Sequence, residues 1–163
     1  MTTSVKLKDI VGRMIRTEAR VEFTDCDPYG HMASSRYLEM AVNHRMSAVT
    51  EQLGFDTLKT VKETGIAFVN KEVNLKYRSP AQFDDWITVE SWVDEIQEFQ
   101  LVVKVRLTNR DTGKIVCRVR IYTVTFDMKD GAAVPIPDTY QVDQPIDPHS
   151  LPWAPGHPKR RSE

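Results

Sequence analysis

At Gly65 the apolar residues of this chain give up a helical period for an alternating one, and that change limits the fold more than any other feature. Before it, from Arg36 to Leu53, the residues Leu38, Val42, Met46, Val49 and Leu53 recur at spacings of four, four, three and four, with Tyr37, Ala41 and Ala48 widening the stripe. This is the pattern of one buried amphipathic helix. Gly54 stands where a helix C-terminal glycine belongs, and a second, shorter helix is expected over Asp56 to Glu63. After Gly65 the pattern alternates until about Met128. Ile66 to Tyr77 places Val73, Leu75 and Tyr77 on one face, and Trp86 to Val93 sets Ile87, Val89 and Val93 against Trp86, Glu90 and Trp92. Phe99 to Leu107 sets Phe99, Leu101, Val103, Val105 and Leu107 against Gln100, Lys104 and Arg106, and Asn109 to Gly113 is a hairpin turn. The strand returning from Lys114 carries Ile115, Cys117, Val119 and Ile121 on odd positions, then Tyr122, Val124 and Phe126 on even ones, which predicts a bulge between Arg120 and Tyr122. One more strand, Arg16 to Thr24, alternates Ala19, Val21 and Phe23 with Glu18, Arg20 and Glu22 ahead of the helix. No helix separates the later strands, so the sheet is expected to be mostly antiparallel and closed over the long helix, an α+β fold.

At 163 residues the chain suits one domain, expected over residues 1–140, with a proline-rich tail over 141–163 that Trp153 docks. Prolines at 145, 148, 152, 155 and 158 disfavour helix and interior strand there. A formal net charge of −1 argues against nucleic acid or an acidic membrane surface as the main partner. Cys26 and Cys117 make neither a metal-ligand spacing nor a secreted disulfide framework, so no metal is expected. No signal-type or membrane-spanning run is present, and the expected setting is cytoplasmic.

Chemistry concentrates in Asp25-Cys26-Asp27-Pro28-Tyr29-Gly30-His31, which joins the first strand to the helix. Either aspartate could simply bond its own turn, and a loop histidine most often orients the chain. The position favours more than that, because a helix N-terminus offers unpaired backbone N–H groups to developing negative charge. Asp25, Asp27 and His31 are therefore the candidate catalytic residues. Ser34 and Ser35 read most simply as helix caps. Cys26 lies between two carboxylates that disfavour its thiolate, which argues against a cysteine nucleophile.

The run Val21 to His31, followed by Arg36-Tyr37-Leu38-Glu39, resembles the signature of the hydroxybenzoyl-CoA thioesterase family of hotdog-fold proteins. The resemblance spans Arg16 to Pro137 and includes Tyr77-Arg78-Ser79-Pro80. It implies an antiparallel sheet wrapped around one long central helix, with sites between protomers of a homodimer or homotetramer. It implies that Asp27 is the catalytic carboxylate and that backbone N–H groups near Ser34 and Ser35 polarise a thioester carbonyl. Many relatives carry a pair of asparagines where this chain has Ala33-Ser34-Ser35.

The reaction so implied is hydrolysis of an acyl-CoA to a carboxylic acid and free CoA, with no cofactor beyond the substrate. Asp27 would attack the carbonyl or activate a water, and His31 would orient the loop or help the thiolate leave. Cations are needed for the CoA phosphates, and Arg78, Lys76 and Arg118 are the first candidates, with Arg106 and Arg120 nearby. The alternatives are a non-catalytic acyl-CoA-binding module, a dehydratase of the same fold, and a magnesium-dependent phosphatase of the haloacid-dehalogenase type, which also uses Asp-x-Asp after a strand.

Overall fold

The structure is a computed structural model and describes residues 2–151. Its elements in chain order are β1 (Thr3–Lys6), a 3-10 turn (Leu7–Ile10), β2 (Ile15–Arg20), a 3-10 turn (Phe23–Asp25), α1 (Ser34–Leu53), α2 (Thr57–Thr64), β3 (Ile66–Tyr77), β4 (Trp86–Ile96), β5 (Leu101–Asn109), β6 (Ile115–Asp127), β7 (Ala133–Val134), β8 (Thr139–Val142) and a last turn (Pro148–Ser150). The main sheet runs β2-β4-β5-β6-β3, with β7 paired to β6, and β1 and β8 form a separate two-stranded sheet. Every pair of strands is antiparallel. That leaves no parallel βα units among the described residues for a phosphatase of the haloacid-dehalogenase kind. The arrangement is the hotdog fold, with the 20-residue α1 lying across one face of the sheet.

The glycines act as the sequence suggests. Gly54 ends α1 and Gly65 ends α2, both at φ 73°, and Asp56 caps α2 by accepting from Lys59 N at 3.0 Å. Four expectations are corrected. The first strand stops at Arg20, because Glu22 and Asp25 satisfy each other's backbone donors in a capping box and turn the chain, leaving Phe23 77% exposed. The bulge lies in β3, where the register shifts between Asn70 and Glu72, and β6 keeps Cys117, Val119, Ile121, Thr123 and Thr125 buried throughout. The strand expected from Phe99 begins at Leu101. Finally, residue 140 falls inside β8, whose Tyr140 and Val142 are buried, so the domain boundary placed there cuts a strand. Trp153 lies outside the described residues.

The long helix is turned from the orientation its apolar stripe suggests. The residues it buries include Tyr37, Ala41, His44, Ala48 and Gln52, and it packs most closely on β2, then on β4 and β6. Ala41 and Ala48 let the backbones approach, while Leu38 and Val42 are only partly covered and Met46 is 53% exposed. Two polar clamps fix this orientation. Gln52 Oε1 accepts from Arg16 N at 2.9 Å and its Nε2 donates to Arg16 O at 2.6 Å, so the side chain serves as an extra rung on β2. His44 sits between Thr17 Oγ1 at 2.6 Å and Ser91 Oγ at 2.8 Å, tying the helix to β2 and β4.

Candidate active site

The 25–33 loop is pinned at both ends. Cys26 and Met32 form an antiparallel bridge, Asp27 N donates to His31 O at 2.8 Å, and Ala33 N donates to Asp25 O at 2.8 Å. A second strap comes from the β3–β4 connection, where Ala81 O accepts from Met32 N at 2.7 Å. Ala81 N donates to the buried Tyr37 hydroxyl at 3.1 Å, which links the strap to α1. Tyr77 closes the other side, its hydroxyl donating to Ser34 O at 2.9 Å and its ring meeting Tyr37 edge-on at 5.2 Å. Burial, then a set of neighbouring charges that includes Asp27, holds the Tyr37 phenol above its ordinary range.

Within this frame the two aspartates are placed differently. Asp25 is engaged, with Oδ2 accepting from Glu22 N at 2.8 Å and Oδ1 lying 3.7 Å from Arg36 Nε. Asp27 uses Oδ1 to accept from Tyr29 N at 2.8 Å and His31 N at 3.2 Å, an Asx turn that fixes the carboxylate, and its Oδ2 has no hydrogen-bond partner among the described residues. The His31 ring also lacks one, although its backbone bridges Gln82.

The helix start departs from the sequence reading. Ala33 occupies the N-cap position and no side chain caps the helix, so Ser34 and Ser35 are its first two residues rather than its cap. An alanine has no oxygen to offer, which leaves the Ser34 and Ser35 N–H groups open at the end of the helix where the dipole is positive.

The cation candidates divide. Lys76 and Arg118 lie directly opposite each other on β3 and β6, Arg118 is opposite Arg106 on β5, and Arg120 is opposite Lys104. They line a cleft of about 660 Å³ on the sheet with Trp92, and Arg78 is not part of that lining. Glu90 pairs with Arg106 at 3.1 Å and Asp94 with Lys104 at 3.2 Å. Lys76, Arg118 and Arg120 have no carboxylate partner among the described residues. Cross-strand like charges destabilise a sheet unless an anion lies between them.

The buried polar residues of α1 escaped the sequence reading. His44 is 3% exposed, and its pKa is lowered to about 4, first by burial and then by the Arg45 charge. Its Nδ1 faces the Thr17 hydroxyl and its Nε2 the Ser91 hydroxyl, so a neutral ring can donate to one and accept from the other. Ser91 is 0% exposed, so this serine–histidine contact is a core clamp and not a nucleophile. A polar residue at helical spacing from Ala41 and Ala48 was the available signal.

The comparisons with known proteins, not the fold alone, give the class, a thioester hydrolase. The chain belongs to the thioesterase-like superfamily, whose model matches residues 21–143. It is 26% identical over 120 residues to the long-chain acyl-CoA thioesterase FadM of Escherichia coli (strain K12), covering 74% of this chain and 89% of that protein. The solved structure of YbaW, a probable thioesterase from Escherichia coli, superposes with a TM-score of 0.68 at 26% identity over 74% of this chain and 89% of its own. A 4-hydroxybenzoyl-CoA thioesterase mutant in complex with 4-hydroxybenzoyl-CoA shares the fold with a TM-score of 0.69 at 24% identity, over 77% of this chain and 94% of its own.

Proposed function

We propose that the protein hydrolyses acyl-CoA thioesters and that Asp27 carries the reaction. The supporting observation is a carboxylate with one oxygen fixed by its own turn and the other free, on a loop tied to a helix whose first two N–H groups are open. The thioester carbonyl oxygen is received by the Ser34 and Ser35 N–H groups. On the direct route the free Asp27 oxygen bonds to the carbonyl carbon, the C–S bond breaks, and water then cleaves the anhydride to release the acid and return the carboxylate; on the other route Asp27 takes a proton from a water whose oxygen bonds to that carbon, and the C–S bond breaks. In both, the leaving thiolate takes up the proton that the water gives, with His31 at hand. Asp25 positions the loop through its capping box and Arg36.

The CoA phosphates meet Lys76, Arg118 and Arg120. Lys76 neighbours Tyr77, which touches the helix start, so the basic cleft lies behind the same strand. A second copy of the chain completes the assembly, because β3 is an edge strand and Phe23, Tyr29 and Phe83 stand exposed around the loop.

Thiol release from a panel of acyl-CoAs tests the reading. Asp27→Asn should lose about a hundredfold or more in kcat, the order of one lost catalytic or oxyanion group. Wild-type rates in that variant would reject the assignment, and acyl-CoA affinity without turnover in the wild type would establish the binding module instead. A single turnover in heavy-oxygen water labels the Asp27 carboxylate only on the direct route.

A further inference from the structure

The apolar stripe that α1 does not bury against β2 faces a cavity of about 180 Å³, roughly six water volumes. Val42, Met46 and Val49 line it from the helix, Phe68 from β3, and Val103 and Ile121 from the middle of the sheet. Arg45 lines it too. Its guanidinium donates to Ser91 Oγ at 3.1 Å, and no carboxylate pairs with it among the described residues. The other polar lining residues are Thr57, Asn70 and Thr123, and no acidic side chain takes part. Such a cation in an apolar cavity is costly unless something negative joins it.

We infer that this cavity receives the far end of the acyl group and that Arg45 selects acyl chains ending in a carboxylate. The inference rests on the thioesterase reading for the reacting end and adds the substrate class. Arg45 lies about three turns, or roughly 16 Å, beyond Ser34. Side chains on a helix lean back toward its N-terminus, which shortens the span to roughly 10 Å, the reach of about eight to ten carbons at ~1.3 Å per bond. The route follows the partly exposed stripe of α1, past Leu38 to Val42 and Met46, the last two of which line the cavity. Burial lowers the Arg45 pKa to about 10, which still leaves it charged at neutral pH.

The test compares matched esters: octanoyl-CoA against suberyl-CoA, and decanoyl-CoA against sebacyl-CoA. The wild type should favour the ω-carboxylate member of each pair by tenfold or more in kcat/KM. Arg45→Met should bring that ratio to one or below, and Arg45→Lys should keep part of it. A wild type that prefers the plain chains, or a ratio that Arg45→Met leaves unmoved, overturns the inference while the thioesterase reading stands. Should no acyl-CoA of the wider panel turn over, the thioesterase reading fails, and thermal shift with free suberate still decides the cavity: stabilisation lost in Arg45→Met supports it, and no stabilisation of the wild type overturns it. Dissociation of Arg45→Met to monomers, read by light scattering, would mean that Arg45 answers a second copy, and would also overturn it.

Discussion

Acid should loosen this protein through His44 before it reaches the carboxylates. The side chain is buried between Thr17 and Ser91 and beside Arg45, and its pKa of about 4 lies below the ordinary 6.5 that it recovers on unfolding. As pH falls below 6.5 the unfolded chain takes up a proton that the folded chain refuses, so stability drops until about pH 4 and then levels. A gap of roughly two and a half pH units at about 1.4 kcal/mol each gives about 3–4 kcal/mol, a large share of the roughly 5–15 kcal/mol typical of a domain. Urea midpoints at half-unit steps from pH 7.5 to 4, with the m-value checked for constancy, measure the slope. His44→Gln, which keeps hydrogen-bonding groups without a titrating ring, should lack this component. An equal slope in wild type and His44→Gln would refute the buried neutral imidazole, as would an NMR titration placing His44 near 6.5.

Replacing Lys76 and Arg118 together by alanine should raise KM for acyl-CoA about tenfold with kcat little changed, and added salt should shrink the difference, since surface cations act through screened charge. Arg45→Met should unfold at a higher temperature than the wild type, because an apolar residue replaces a half-buried cation that has no carboxylate partner among the described residues, while Ser91 keeps His44. A lower melting temperature would show that the charge is balanced in the assembled protein.

The helices and the four strands that follow Gly65 were legible because their signals are local. Gly54 and Gly65 punctuate α1 and α2, and the inward residues of β4 and β5 alternate as written. What escaped depends on distant partners. The four-residue β1 and β8 pair across the length of the chain and carry too little period to be seen. The parity change between β3 and β6 belongs to the pair, so the sequence of β6 alone points to the wrong strand. Phe23 continues an alternation that the Glu22–Asp25 capping box overrides. In the site, the crowding of Asp25, Asp27 and His31 was plain, but which aspartate keeps a free oxygen depends on the turn each one caps. The Ser34 and Ser35 reading assumed that a hydroxyl at a helix start must cap it, whereas Ala33 holds that place.

The rotation of α1 links the stability of the fold to its proposed use. By its apolar stripe alone, the helix would press Leu38, Val42 and Met46 against the sheet, and the gap toward β3 would close. Instead, hydrogen bonds from His44 and Gln52 anchor a face of small and polar residues to β2 and β4, each bond contributing about 1 kcal/mol. Leu38 and Val42 are thereby left only partly covered and Met46 exposed, and Val42 and Met46 line the cavity. Packing energy forgone on that side becomes binding energy available to a ligand, which is how a site trades stability for function. A chain that replaced His44 and Gln52 by leucine would strand Arg16 N and O, Thr17 and Ser91 without partners and free the helix to turn its stripe inward. Measured on that double variant, the melting temperature should fall while acyl-CoA KM rises.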